Sequence, residues 1–315
     1  MIKWAKSFLF SRTLLCYGLL AVALVTYLAL SYAAPQTSSP IKLSRLQLDL
    51  VEFSIILPYL LSWILAVYGL CTLDKYVRFG RISNELKPAF QGIYRGLAWI
   101  IVSAVSVPVL GATRPFIPHL GHQLTILTNY LYIFPLLIGF WIMRQAMAKV
   151  LGKQKMPAQR WRSDEAVRAL LVLLLSAFYI ALVFSNGSRQ AGPNASYFLP
   201  DVLIVLTIII PACLSWWFGF SAGFMLSEIT ARAESATTFR AMTRILYGIC
   251  TIIFISILLQ ALLSLGTARL ADVGVGMLLA LLYVFVLWQA VGYMLLALGV
   301  RALLRDNNAE GEQAA

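Results

Sequence analysis

The sequence predicts an all-α integral membrane protein of eight transmembrane helices, built as two parallel four-helix repeats around a pseudo-twofold axis along the membrane normal. Three observations lead to this fold class: an extremely apolar composition, an eleven-residue run that occurs twice, and an uneven distribution of positive charge. Of the 315 residues, 60% are hydrophobic and only 12% are charged, and the mean hydropathy is +0.81. Since about a quarter of the residues in soluble domains are charged, the chain belongs in a bilayer.

Eight apolar stretches are long enough to cross a hydrocarbon core of about 30 Å as helices. These predicted spans 1 to 8 cover, in chain order, residues 13–33, 50–73, 91–111, 123–148, 166–186, 199–227, 241–265 and 273–303. The loops between them are too short to hold a soluble domain. Any chemistry is therefore expected within the membrane or at its faces.

The repeated run lies in spans 2 and 6. Residues 53–63 read FSIILPYLLSW and residues 206–216 read LTIIIPACLSW, so six of eleven positions are identical at an offset of 153. Unrelated apolar segments would share roughly one position, so the match indicates an internal duplication. The shared positions include a proline, a serine and a tryptophan in each copy: Pro58, Ser62 and Trp63, then Pro211, Ser215 and Trp216.

The duplication is predicted to extend through all four spans of each half. Spans 1 and 5 align at an offset of 152, spans 3 and 7 at 149 and spans 4 and 8 at 151. The offset of 149 rests on three identical pairs: Phe90 with Phe239, Arg95 with Arg244, and Leu97 with Leu246. Because each half has an even number of spans, both halves enter the membrane from the same side and the repeats are parallel, not inverted.

These alignments predict four regions. The repeats cover residues 1–148 and 166–305, and the basic cytoplasmic linker 149–165 joins them. The polar end of the chain, 306–315, is predicted to be disordered because it has few apolar residues.

Positive charge predicts the orientation. Of 25 basic residues, 20 fall on the side that carries both termini and the linker, so the positive-inside rule places that side in the cytoplasm. The net charge of +12 then mainly reflects topology, and we expect attraction to anionic lipids on the cytoplasmic face and no binding of nucleic acid. A basic start followed by the apolar run 13–30 also matches a signal peptide, but Tyr27 and Leu30 recur as Tyr179 and Leu182, which favours a true span.

A stripe of polar residues on spans 2 and 6 is the main candidate site. The stripe repeats a hydroxyl, a proline and a hydroxyl at i, i+4 and i+8: Ser54, Pro58 and Ser62, then Thr207, Pro211 and Ser215. Each proline lacks an N–H, so the carbonyl four residues earlier needs another partner. The stripes, with Trp63 and Trp216, are therefore candidates to line a cavity between two kinked helices. The alternative is a kink that serves helix packing, with hydroxyls bonded to their own backbone and tryptophans in the core.

Four charged residues are secondary candidates. Glu52 and Asp201, near the external ends of spans 2 and 6, either form an outer vestibule or cap their helices. Arg95 and Arg244 are the charged pair that the predicted alignment preserves. They are candidates for lipid head-group binding or gating, and snorkelling to the membrane surface is the simpler alternative.

A few residues are expected to stabilise packing between helices. The deeper polar residues should hydrogen-bond between spans: Asn129, Gln260 and Gln289. GIYRG at 92–96 and GFSAG at 219–223 match the GxxxG pattern, which indicates close approach of two helices.

Several activities lack support in the sequence. No charged residue lies near the middle of a span, which argues against a proton-coupled pump. The two histidines, His119 and His122, have no third partner for a metal, and the four cysteines form no CxxC pair. No catalytic triad or phosphate-binding loop is present, so we expect neither an enzyme nor a cofactor.

One segment carries a resemblance. The run YFLPDVLIVLTIIIP at 197–211 resembles a stretch in uncharacterised multi-pass membrane proteins of Saccharibacteria-type candidate-phylum bacteria. The resemblance covers a small part of the chain. It implies a bacterial cytoplasmic membrane, and it assigns neither an activity nor a site residue.

Two function hypotheses remain. The first is a transport or channel-like protein with a cavity between spans 2 and 6. The second is a non-transporting membrane scaffold or accessory subunit that binds a membrane-protein partner or forms a homo-oligomer. A water-accessible cavity that touches Ser54, Pro58, Ser62 and their counterparts would favour the first hypothesis, and a dry face packed by apolar side chains would contradict it.

Overall fold

The computed structural model describes residues 45–80, 82, 85–113, 121–152, 205–233, 235–265 and 275–313. Predicted spans 1 and 5 and most of the linker lie outside these residues. In the part of the chain that is described, all regular secondary structure is helical and no β-strand occurs. The predicted all-α class holds for these residues.

Six long helices form the described part of the fold. They are α1 (Arg45–Phe79), α2 (Lys87–Thr113), α3 (Gly121–Gly152), α4 (Ile210–Ala231), α5 (Ala236–Leu265) and α6 (Val275–Gln313). A π-helical turn, Val205–Ile209, leads directly into α4. The six helices correspond in order to predicted spans 2, 3, 4, 6, 7 and 8.

Five of these helices have stretches long and apolar enough to cross a membrane. The stretches are Leu57–Phe79, Tyr130–Gly152, Thr207–Ala231, Ala236–Leu259 and Val284–Arg305, on α1, α3, α4, α5 and α6. α2 also covers the predicted span 91–111 but is not among the five. The structure thus agrees with a polytopic membrane protein.

The helix ends differ from the predicted boundaries. α1 extends beyond both ends of the predicted span 50–73. α6 continues to Gln313, so the tail predicted to be disordered from residue 306 is helical through residue 313. Ala309, Glu310 and Gln313 have good helix propensity and no proline interrupts the segment, so the helix can continue past the apolar span.

The six helices pack in a closed order in which each helix contacts its two neighbours: α1, α2, α3, α4, α5, α6 and back to α1. The most extensive interfaces join α2 to α3 and α5 to α6, followed by α1 with α6 and α3 with α4. The smallest neighbouring interfaces join α1 to α2 and α4 to α5, and a minor contact joins α3 to α5. The ring order is symmetric. If α1, α2 and α3 change places with α4, α5 and α6, each helix still has the same kind of neighbours.

Contacts along the helices define their directions. The Tyr130 hydroxyl of α3 bonds to Thr207, just before α4, and further along both helices Arg144 lies over Phe218. Because both positions advance together, α3 and α4 run parallel, as expected for spans 4 and 6. α2 and α3 run antiparallel, since Ser103 of α2 bonds to the carbonyl oxygen of Tyr132 of α3.

Glycines bring two helix pairs into close contact. A β-carbon placed on Gly96 of α2 would lie 2.6 Å from the carbonyl oxygen of Gly139 of α3. A β-carbon on Gly248 of α5 would lie 2.7 Å from the carbonyl oxygen of Gly292 of α6. Backbones can approach this closely only without side chains, so glycine is required at these crossings.

The burial pattern of α2 recurs in α5 at an offset of 152. Four identical pairs are buried in both helices: Ala89 and Ala241, Ile93 and Ile245, Gly96 and Gly248, and Ile100 and Ile252. The predicted offset of 149 instead pairs Phe90, which is 1% exposed, with Phe239, which is 46% exposed. Between α3 and α6 the crossing glycines Gly139 and Gly292 give an offset of 153, where 151 was predicted. Burial and crossings thus favour offsets of 152 and 153 over the predicted 149 and 151, which matched a few shared side chains without knowledge of which face is buried.

A candidate polar site in the bundle core

The proline stripe of α1 faces the interior of the bundle. Pro58 lies inside the helix and is buried, as are Ser62 and Trp63, while Leu57 and Leu61 are exposed on the other side. The side chains of Glu52 and Ser54 are outside the described residues. The burial of Trp63 agrees with the core-packing alternative.

The matching stripe on α4 begins in the π-helical turn. Carbonyls of such a wider turn pair with N–H groups five residues on, so the backbone changes from π-helical to α-helical geometry just before Pro211. The hydroxyl of Thr207 accepts a 2.8 Å hydrogen bond from the Tyr130 hydroxyl of α3, and Ser215 donates a 2.7 Å hydrogen bond to the carbonyl oxygen of Ala212. Ser215 thus bonds to the backbone of its own helix, as the simpler alternative predicts, whereas Thr207 bonds to a side chain of a neighbouring helix.

The two stripes are not brought together. α1 and α4 occupy opposite positions in the ring and make no extensive contact with each other. Pro211, Ser215 and Trp216 are all buried against other helices. Asp201 lies outside the described residues. A cavity between the two stripes stays a prediction.

A different group of polar side chains meets in the core, and α3, α5 and α6 contribute to it. The hydroxyl of Tyr132 (α3) donates a 3.0 Å hydrogen bond to the carbonyl oxygen of Ser256 (α5). The side-chain amide of Gln289 (α6) donates to the hydroxyl of Ser256 at 3.5 Å, the long limit of a hydrogen bond. All three residues are at most 4% exposed. Hydrogen bonding of Gln289 between helices was predicted and is confirmed, whereas the side chains of Asn129 and Gln260 lie outside the described residues.

Tyr293 adds a hydroxyl that has no hydrogen-bond partner. The residue is 2% exposed and lies one turn beyond Gln289 on α6, so the two share a helix face. Its hydroxyl oxygen is buried without a protein acceptor or donor. Tyr293 is also close enough to Tyr132 to influence it electrostatically, so three helices contribute to this group. We call Tyr132, Ser256, Gln289 and Tyr293 the core polar cluster.

The cluster could not be recognised as a site from the sequence. Tyrosine is common in transmembrane helices, and spacing along one helix does not indicate which hydroxyls meet across several helices. At the observed offset of 153, Tyr132 corresponds to Phe285 and Tyr293 to Phe140. Each hydroxyl therefore occurs in one half only, and a search for repeated polar residues passes over both.

Arginines occur at two equivalent interfaces of the ring. The guanidinium carbon of Arg144 (α3) lies 5.6 Å from the centre of the Phe218 ring on α4. The guanidinium carbon of Arg301 (α6) lies 5.1 Å from the centre of the Tyr68 ring on α1. Such geometry is typical of cation–π contacts.

The predicted arginine pair has a different environment. Arg95 and Arg244 are both exposed, which agrees with side chains that reach the membrane surface. An offset of 152 would pair Arg95 with Tyr247 and Arg244 with Gly92, in place of the predicted pairing of the two arginines. Their proposed roles in lipid binding or gating stay predictions.

Comparison with known proteins adds no assignment, because no protein-family model, curated protein or solved structure matches the chain. Within the described residues no group of histidine, cysteine and acidic side chains is arranged to hold a metal ion. The core polar cluster itself consists of hydroxyl and amide groups. Such groups can donate and accept hydrogen bonds with an uncharged polar molecule without a change of charge.

Proposed function

We propose that the chain is a transport or channel-like protein of a bacterial cytoplasmic membrane that passes a small, uncharged polar solute. The observation that carries this proposal is the buried hydroxyl of Tyr293, which has no protein partner. Leaving such a group unpaired costs about 1–3 kcal/mol, so a solute or water that bonds to it has a favourable place in the bundle.

The surrounding residues support the same reading. Gln289 and Ser256 are already linked at the limit of hydrogen-bond length, so either can exchange this weak bond for one to a solute. On α1, Tyr59 is next to Pro58 and packs on Trp63, with ring centres 6.4 Å apart. Pro58 removes one backbone hydrogen bond from α1, which provides a place where this helix can bend.

The proposal includes an architecture of two parallel repeats. Two parallel four-helix repeats are supported by the ring order, by the matching burial of α2 and α5, and by the two glycine crossings. In this frame the pseudo-twofold axis runs along the membrane normal through the centre of the ring, and both termini lie in the cytoplasm. The hydroxyls of the core polar cluster break the symmetry, which suits a solute path that is not the same in both halves.

Flux through reconstituted vesicles tests the proposal. Purified protein in phosphatidylglycerol and phosphatidylethanolamine vesicles should increase the entry rate of glycerol or urea in stopped-flow light scattering. Tyr293→Phe removes one hydrogen-bonding group and should lower that rate about threefold to tenfold. The matched control is Tyr247→Phe, because Tyr247 is 61% exposed on α5 and should not affect flux.

Two outcomes would count against transport. Wild-type vesicles that are no more permeable than protein-free vesicles to any solute tested contradict it directly. An equal loss of flux in Tyr293→Phe and Tyr247→Phe would place the path away from the core polar cluster.

The scaffold hypothesis is the second candidate, and one observation favours it. The hydroxyls of Thr207 and Ser215 are both used within the protein, which suits a stripe that only shapes the helix. A scaffold should retain a stoichiometric membrane-protein partner when purified from native membranes. Neutralising the basic residues of loop 149–168 should then release that partner without changing vesicle permeability.

A further inference from the structure

Two arginines of the ring lie at equivalent places. Arg144 on α3 contacts Phe218 of α4, and Arg301 on α6 contacts Tyr68 of α1. The α3 and α4 interface corresponds to the α6 and α1 interface in the ring order. At the offset of 153, Arg301 corresponds to Ala148, so the two arginines are displaced by only one helical turn.

The aromatic ring fixes each guanidinium at the interface. A guanidinium stacked on a ring keeps its N–H groups at its edge, where they can bind two oxygens of one anion. In Arg144 the Nε atom is buried and has no hydrogen-bond acceptor. The site is thus prepared for an anion that the protein does not supply.

Nearby carboxylates do not neutralise these charges. Across the described residues, neither Arg144 nor Arg301 forms an ion pair, and Asp74 is paired with Arg78 at 2.9 Å. Glu228 lies ten residues beyond Phe218 on α4, about 15 Å along the helix axis. An unpaired cation in a transmembrane helix is costly, so a partner from the lipid is expected.

Depth favours a lipid phosphate. Arg144 lies eight residues before the end of the apolar stretch Tyr130–Gly152, and Arg301 lies four residues before the end of Val284–Arg305; both ends are predicted to be cytoplasmic. Anionic head groups are located at that level, and basic side chains between helices bind them. A long arginine side chain can reach the phosphate from one or two turns inside the helix end.

From this geometry we infer that Arg144 with Phe218, and Arg301 with Tyr68, form two sites for the phosphate of an anionic membrane lipid. Each site lies where a helix of one half packs on a helix of the other. A bound phosphate therefore bridges the halves on the cytoplasmic side. This inference is independent of transport, since a scaffold would have the same sites.

Native mass spectrometry of the full-length protein tests the inference. Protein from vesicles of phosphatidylglycerol should retain two tightly bound lipids, whereas protein from phosphatidylcholine should retain none. Arg144→Gln and Arg301→Gln should each weaken one site about tenfold, and the double variant should lose both lipids. Arg240→Gln changes the charge equally at an exposed position outside these sites and should retain both lipids.

Further measurements test whether the phosphate comes from a lipid and whether the aromatic rings hold the arginines in place. Inorganic phosphate in excess should not displace the lipids, and displacement would overturn the assignment to lipid. Phe218→Leu and Tyr68→Leu should lower retention at their own sites, because the guanidinium is no longer held. If Arg144→Gln does not purify as a monodisperse protein, Arg144→Lys replaces it; it keeps the charge, loses the planar fork and should still weaken its site.

Two results would contradict the inference of lipid sites. Equal lipid loss in Arg240→Gln would show only a general effect of charge and would overturn the inference. Retention of both lipids by the double variant would do the same.

Discussion

The same substitution, tyrosine to phenylalanine, should have opposite effects on stability at two buried positions of the core polar cluster. Tyr132 donates its hydroxyl proton to Ser256, whereas the hydroxyl of Tyr293 has no protein partner. Both rings are almost completely buried, so Tyr→Phe preserves packing in each case. Any difference between the variants therefore measures the hydroxyl alone.

Tyr132→Phe should lower the free energy of unfolding by about 0.5–1.5 kcal/mol, the usual net value of one hydrogen bond. Tyr293→Phe should leave it unchanged or raise it by about 1 kcal/mol, because an unpaired buried hydroxyl is removed. Thermal unfolding of both variants in the same detergent, without added solute, measures the difference. A larger loss for Tyr293→Phe would mean that its hydroxyl is paired in the folded protein.

The sequence predicted some of these side-chain contacts and missed others. Gln289 was predicted to bond between helices, because an amide in an apolar span needs a partner, and it does so. The burial of the proline stripe is compatible with its repeated pattern, but the sequence could not indicate that Ser215 bonds to its own helix. Tyr293 was missed because an unpaired hydroxyl is a property of its neighbours on other helices, which one sequence does not identify.

At the scale of the elements, close crossings govern the tightest helix pairs. α2 crosses α3 at Gly96 and Gly139, and α5 crosses α6 at Gly248 and Gly292. GIYRG at 92–96 correctly predicted close packing of α2. The glycine of α6 was not singled out, because a lone glycine in an apolar helix carries no spacing signal.

Gly96→Ala and Gly248→Ala should each destabilise the protein by roughly 1–3 kcal/mol, since the added methyl group overlaps a carbonyl oxygen of the facing helix. Gly152→Ala is the matched control, because no atom lies within 4 Å of a β-carbon there. The thermal midpoint in detergent and the yield of monodisperse protein report the effect. Equal stability of all three variants would mean that the helices do not approach as closely as described.

Helix existence was easier to predict than helix alignment. Long apolar stretches gave the positions of all six described helices, because hydropathy depends on composition alone. The predicted offset of 149 matches Phe90 with Phe239, which pairs a buried face with an exposed one. A correct alignment requires knowing which face of each helix contacts its neighbours. In α2 and α5 that face carries glycine and isoleucine, but this becomes evident only when the helix crossings are known.

At the scale of the whole molecule, the two halves of the sequence are interleaved. The first half contributes α1 to α3 and the second α4 to α6, yet α1 packs extensively on α6 and α3 on α4. Neither half therefore has a complete set of neighbours. A chain cut in the predicted linker 149–165 provides a direct test.

Each half expressed alone should aggregate or be degraded, because the α1 and α3 faces, or the α4 and α6 faces, lose their partners. Co-expression of both halves should restore a complex that co-purifies and elutes from size exclusion like the intact chain. A monodisperse, thermally stable single half would contradict the interleaved packing. The uncut chain, purified in parallel, is the control.

The order of interface sizes has a consequence for any motion of the ring. The smallest neighbouring interfaces, between α1 and α2 and between α4 and α5, divide it into two groups of three helices: α2, α3 and α4, and α5, α6 and α1. Separation of the two groups at these small interfaces breaks the fewest contacts, and the minor contact between α3 and α5 is lost as well. Each group can therefore shift as a unit, and each unit combines helices from both sequence halves. The connections from α1 to α2 and from α4 to α5 would then act as the hinges, and the boundary between the two sequence halves would not define the moving parts.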